Sequence, residues 1–373
     1  MGESDKNKNQ KKFFEGYLPK HQLLILVGVL LIGGILSWIF IGYASANTIE
    51  AFSEELDKYS EEKEQEQDDE IVTIRRNLMG QILYDDEEVP YPFAVMIENL
   101  PSVRPQSGLQ GASIVYEALV EGLATRFMAV FDTDGLDEIG PVRSARPYYT
   151  QWVSEYDALY AHCGGSPEAL TNVRNWELNS INQIGGDWPY YWRDSSKYAP
   201  HNLYTSSELI TKAMRDKELA DREPSYETWI FKDDAALDNR PTEEKSIKIA
   251  FSGLSWEVEY KYDQEQNNYV RYNSGLEHKD TQTNEAIRVK NVVVQVIPEI
   301  VAFGELGRLT LEIEGEGEAK ICRDGSCLVG TWRKSGRTNR TVFYDADGRE
   351  IEFNVGNTWI SVAPMGYETV EYN

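Results

Sequence analysis

The chain has 373 residues, 41% hydrophobic and 27% charged, which excludes both a disordered chain and a multi-span membrane protein. Asp and Glu number 62 against 37 Lys and Arg, and the formal charge of −25 removes nucleic acid from the expected partners, because phosphate binding needs a basic face. Three cysteines are too few for a disulfide-built scaffold, and the length suggests about two domains.

From Leu23 to Ala46 no residue is charged, and a helix of about 20 such residues crosses a bilayer. Lys6, Lys8, Lys11, Lys12 and Lys20 precede this run, and Glu50 opens an acidic run behind it. The positive-inside rule therefore predicts a cytoplasmic tail (1–22), a transmembrane helix (23–46) and extracytoplasmic domains, in a single-pass protein of the cell membrane. Trp38 and Tyr43 fit an outer interfacial belt. Ala44-Ser45-Ala46 has the small-residue spacing of a signal-peptidase site, so cleavage is the alternative, although the apolar run is long for a signal peptide. No cysteine lies near the segment to carry a lipoprotein anchor. Residues 50–70 hold eleven acidic residues and two lysines, and 47–76 read as an acidic stalk and linker.

The first extracytoplasmic domain is expected at 77–224. The run 93–97 reads as a buried strand, and 113–121 and 125–131 as two more joined at Gly122. Helical spacing follows at 147–156, a short strand at 157–162, and Ser166-Pro167 as N-cap and first helical residue. Thr205-Ser206-Ser207-Glu208 is a capping box for a helix ending near Lys217. Strands interleaved with helices give an α/β-type domain. The second domain, 225–373, contains short strand-like runs punctuated by Asp324-Gly325, Asp347-Gly348 and Val355-Gly356, which predicts a mostly-β sandwich or barrel. The expected class for the whole chain is α+β, with an N-terminal transmembrane helix.

Arg104-Pro105-Gln106-Ser107-Gly108-Leu109, Ile114-Val115-Tyr116-Glu117-Ala118-Leu119-Val120-Glu121-Gly122, Thr125-Arg126-Phe127 and Gly140-Pro141-Val142-Arg143-Ser144-Ala145-Arg146-Pro147-Tyr148 resemble the YerB-like lipoprotein family, a domain of unknown function numbered 3048. His162-Cys163-Gly164-Gly165-Ser166-Pro167 resembles a family segment with a small residue in place of Cys163. Lys290-Asn291-Val292-Val293-Val294-Gln295, Gly330-Thr331-Trp332, Phe343-Tyr344-Asp345 and Gly356-Asn357-Thr358-Trp359 are similar to the family's C-terminal domain. The likeness covers about 77–364 and implies an extracytoplasmic bacterial surface protein. It supplies no reaction.

The residues that can carry chemistry gather in the first domain. Glu117, Glu121 and His162 are candidate catalytic residues, since paired carboxylates and an imidazole can serve as general acid and base. Arg126, Arg143, Arg146, Ser166, His201 and Asn202 are candidate ligand-binding residues. Arginines hold carboxylates and phosphates in bidentate fashion, and Gly164-Gly165-Ser166 leaves free N–H groups at a helix start. The competing reading is a buried ion-pair network that fixes loops. Gly-x-Ser-x-Gly and His-Glu-x-x-His are both absent, His162, Cys163 and His201 match no standard zinc spacing, and no cofactor or metal is expected. The aromatic run Trp188-Pro189-Tyr190-Tyr191-Trp192 suits a sugar or a partner protein, or a plug under a loop.

Asp324-Gly325 is a strong two-residue hairpin turn, which makes Cys322 and Cys327 a non-hydrogen-bonded pair and predicts a disulfide between them. Three functional readings stay open. The leading one is an anchored envelope protein that binds a cell-wall polymer or an envelope protein. The others are a hydrolase or transferase acting on cell-wall glycans or peptides, and a structural scaffold of an envelope complex.

Overall fold

A computed structural model describes residues 75–84, 90–252, 256–298, 300–304, 306–365 and 370–372, together with Gly34, Leu36, Trp38 and Gly42. The chain divides into two units, 1–73 and 74–373, and the described strands lie in the second.

The apolar run that begins at Phe93 forms β1 (Phe93–Glu98), which is buried along its whole length. β2 (Ile114–Leu119) and β3 (Thr125–Phe131) are equally buried, as is β4 (Leu159–His162), while β5 (Ser180–Asn182) buries Ile181 between two half-buried residues. The later half begins with β6 (Ser246–Ala250), β7 (Glu257–Asp263), β8 (Asn268–Asn273), β9 (Leu276–Glu277) and β10 (Arg288–Val289). It continues with β11 (Asn291–Ile297), β12 (Gly315–Arg323), β13 (Ser326–Lys334), β14 (Val342–Tyr344), β15 (Thr358–Pro364) and β16 (Val370–Tyr372).

One ten-stranded sheet runs β14-β13-β12-β11-β15-β2-β3-β1-β4-β5 and takes strands from both halves of the sequence. The join is β15, which lies parallel to β11 on one side and to β2 on the other, with Ser361 opposite Glu117. Its central strands are covered on both faces, which explains their near-continuous Val, Ile, Ala and aromatic content. Phe127 of β3 meets Trp359 of β15 edge to face with ring centroids 5.5 Å apart, so one core spans the join. A second sheet, β9-β8-β7-β6-β16 with β10 beside β8, is antiparallel, and β6 and β8 alternate buried and half-buried residues as a one-faced sheet should.

Three α-helices occur among the described residues beyond the N-terminal segment: α1 (Pro147–Val153), α2 (Pro167–Asn175) and α3 (Ser207–Asp216). The Ser166 hydroxyl accepts from the Ala169 N–H as the sequence suggests, whereas α3 is capped by Ser206, whose hydroxyl accepts from the Leu209 N–H, one residue after the Thr205 with which the expected capping box opens. β12 and β13 turn at Asp324-Gly325, both with positive φ, and a Cys322–Cys327 disulfide closes the hairpin with Cα atoms 4.0 Å apart. The free thiol is that of Cys163.

The expected α+β class with a transmembrane helix is corrected here. The described chain is mostly β, and none of its helices is long and apolar enough to cross a membrane. The expected span at 23–46 lies outside the described residues except for Gly34, Leu36, Trp38 and Gly42, which are helical, so it receives no support. The α/β pattern of the first half misled because its strands are completed by the second half, not by more βα units.

Candidate functional site

The structure distributes the candidate residues over separate networks. Glu117 points from β2 into the join and is 1% exposed. Its Oε2 accepts from Arg271 Nη2 at 2.7 Å, and its Oε1 accepts from Asn99 and Thr125 at 3.1 and 2.8 Å. Arg271, fully buried on β8, lies over the rings of Trp359 and Phe127 at 4.7 and 5.4 Å and also donates to Asn273 and to His278 Nδ1. Burial, with the charges of Arg271 and Arg104, holds His278 well below the usual imidazole range. The ring is therefore neutral, Nδ1 accepts, and Nε2–H donates to Gln106 Oε1 at 2.7 Å. Glu117 is thus a structural carboxylate with no access to a substrate.

Glu121 has left the strand: it sits in a single turn after β2, so it shares no strand face with Glu117. Arg146 grips it with two bonds, Nε–Oε1 2.6 Å and Nη2–Oε2 2.8 Å. Burial would raise this carboxyl, but the hydrogen bonds and charge of Arg146 outweigh it and hold Glu121 below the usual range. Arg126 lies opposite Ala118 and donates to the Ser144 carbonyl at 2.7 Å. Burial, then the neighbouring Arg146, lowers its guanidinium to about 10. His162 is fully buried at the end of β4, with Nδ1 on the Gly164 carbonyl at 2.8 Å, and burial drops it to about 4. Ser166 is spent as a helix cap, and Asn202 clasps its own loop by donating to the carbonyls of Asp194 and Lys197.

Besides Glu121 and Arg146, two further candidates meet, around a residue the sequence reading missed. Glu98, at the end of β1 and 3% exposed, receives Arg143 at 3.2 Å on one oxygen and His201 Nδ1 at 2.8 Å on the other. A carboxylate can only accept, so Nδ1 carries the hydrogen and Nε2 is left toward a cleft of about 470 Å³ that His201 lines. Arg104, Lys197, Tyr198, Tyr204 and Thr281 share that cleft. Tyr198 is 91% exposed at the rim. The Lys197 ammonium sits 4.4 Å from the Tyr204 ring centroid and donates to its hydroxyl. Burial alone would lower Lys197, yet its bond to Tyr204 and nearby acidic groups push it up. Arg104 donates to Asn99 through Nε and Nη2, and burial followed by Arg271 lowers it to about 10, so it stays charged at neutral pH.

The polar loop after β9 completes the wall. Thr281 donates to the Pro105 carbonyl, and Asp280 accepts from the N–H groups of Gly108 and Gln110. Gly108 has φ +83°, and a Cβ there would lie 2.9 Å from the Glu138 carbonyl oxygen, so the Arg104–Leu109 motif needs glycine at this turn. Glu98 could have been suspected as the first charge ending an apolar strand, but nothing local pairs it with His201. The aromatic run is split: Tyr191 is buried, while Trp188 is 67% exposed.

A mostly-β protein whose two sequence halves share one sheet and enclose a polar cleft is the class this geometry defines. The chain belongs to the DUF3048 family: residues 79–220 match the model "Protein of unknown function (DUF3048) N-terminal domain" and 247–360 that of the DUF3048 C-terminal domain. Among its relatives is a Bacillus subtilis (strain 168) protein named "Putative lipoprotein YerB", 30% identical over 276 residues, which cover 73% of this chain and 81% of the relative. The crystal structure of YerB protein from Bacillus subtilis superposes with a TM-score of 0.70 at 27% identity, covering 80% of this chain and 99% of that one.

Proposed function

We propose that this chain is a membrane-associated extracytoplasmic protein that holds an anionic group of a cell-envelope polymer in the cleft beside Arg104, Lys197 and His201. The observation that carries the reading is the buried Glu98, which holds His201 at the cleft wall beside Arg104 and Lys197, within a chain of net charge −25. Preorganised cationic donors of this kind favour a carboxylate or phosphate, and the rim tyrosine suits a sugar face. The lipoprotein name of the Bacillus relative supports the location. Co-sedimentation with purified peptidoglycan tests it. Lys197→Met should cut retention at least tenfold with little change in thermal midpoint, and unchanged retention refutes the cleft.

A hydrolase or transferase is favoured by one feature, the Glu98–His201 pair, in which a carboxylate orients an imidazole whose Nε2 can take a proton. Muropeptide profiles after incubation with wild type and with His201→Asn decide this. Identical profiles, both unchanged from substrate alone, remove catalysis.

A further inference from the structure

A cavity of about 690 Å³ lies away from the cleft, where the ends of α1 and α2 meet the loop between β13 and β14. We propose that it is a second ligand site, which takes a short saccharide bearing a single carboxylate, independently of the cleft reading.

The charge pattern selects one negative group. Arg222 is paired with Asp157 at 2.6 Å and Arg340 with Glu350 at 2.8 Å. Arg337 has no carboxylate partner among the described residues: Nη1 donates to the neutral Ser154 hydroxyl at 3.0 Å, and the guanidinium lies 5.0 Å from the Trp176 ring centroid. A guanidinium braced by an aromatic ring, with donors to spare, is a seat for a carboxylate. Glu177 and Glu227 are exposed on the lining and would repel a polyanion. The remaining surface includes Asn179, Ser225, Thr338 and Tyr226. Amides and hydroxyls beside aromatic rings match a polyhydroxylated ring better than a lipid or a bare ion.

The wall is also built to stay in place. Buried Lys334, ion-paired with buried Glu155 at 2.8 Å, donates to the carbonyls of Arg337 and Asn339 and so holds the loop from beneath. Glu177, at φ +52°, closes α2 as its left-handed cap, with the Leu178 N–H on the Val173 carbonyl, so this edge is fixed as well.

The test is calorimetric titration of the full chain with the disaccharide N-acetylglucosaminyl-N-acetylmuramic acid, with chitobiose as the analogue lacking the carboxylate, and with trialanine as a peptide carboxylate. The acidic disaccharide should bind at least tenfold tighter than the other two. Arg337→Met should weaken it at least tenfold, while the exposed Arg349→Met should leave it unchanged. Ser225→Trp, which fills the cavity from an exposed position, should abolish binding at an unaltered thermal midpoint and guards against a folding defect in the arginine variant. No binding at millimolar disaccharide, equal binding of chitobiose, tighter binding of trialanine, or indifference to both cavity variants would each overturn the proposal.

Discussion

Replacing Arg271 with Met tests whether Glu117 belongs to the structure and not to a reaction. The substitution keeps bulk against Trp359 and Phe127 but leaves the Glu117 carboxylate buried with only Asn99 and Thr125 as donors. Charge centres about 4 Å apart at an effective dielectric of about 20 interact by about 4 kcal/mol. Breaking one side of a buried pair costs about 3–5 kcal/mol in practice. Urea unfolding of Arg271→Met should therefore show a loss near 4 kcal/mol. The double variant with Glu117→Gln should lose less than the sum of the singles, since removing both charges removes the unpaired one. A single-variant loss below about 1 kcal/mol, or strict additivity, refutes the reasoning.

Three further outcomes are expected. His162 titrates near 4 in the folded chain against about 6.5 unfolded, so its contribution is complete above about 6.5 and is lost as the pH falls toward 4, about 3 kcal/mol in all; His162→Gln should flatten this acid limb in melts run from pH 7 to 4. Replacing Cys322 and Cys327 together by Ser should cost about 2 kcal/mol by the chain-entropy model for so short a loop, and alkylation of the unfolded, unreduced wild type should label Cys163 alone by mass spectrometry. Gly108→Ala should lower stability by about 1–3 kcal/mol in the same urea assay, because its φ of +83° and the Glu138 carbonyl leave no room for a methyl group.

What the sequence made legible was local. Asp324-Gly325 names its own turn, and the Cys322–Cys327 register follows within two residues. Ser166 announces its helix because a cap is satisfied three residues on, and the Thr205–Glu208 pattern marks the start of α3 to within one residue. Glu98 and His201 are 103 residues apart, and Glu117 and Arg271 are 154 apart, so no spacing rule could join them. Glu117 drew notice as one of a pair of carboxylates, but the same residue type serves a buried ion pair, and only the partner decides. Asp324 was read as a turn residue alone. It also binds Lys232, Asn267 and Asn354, which overcome its burial and hold its carboxyl far below the usual range.

The position of β15 sets an order of events. Residues 358–364 supply the strand that lies between β2 and β11, so the middle of the large sheet is completed only when a segment more than 200 residues after β2 has emerged. Until then β2 offers an open, apolar edge more than 200 residues behind the point of synthesis, a hazard for pairing with other chains. Closure must wait for a long-range, parallel docking, which is intrinsically slow. A stop codon or a protease cut just before residue 358 would therefore remove the strand that joins β2 to β11. It would strand both halves with unfinished edges, and neither half on its own is a natural unit for expression.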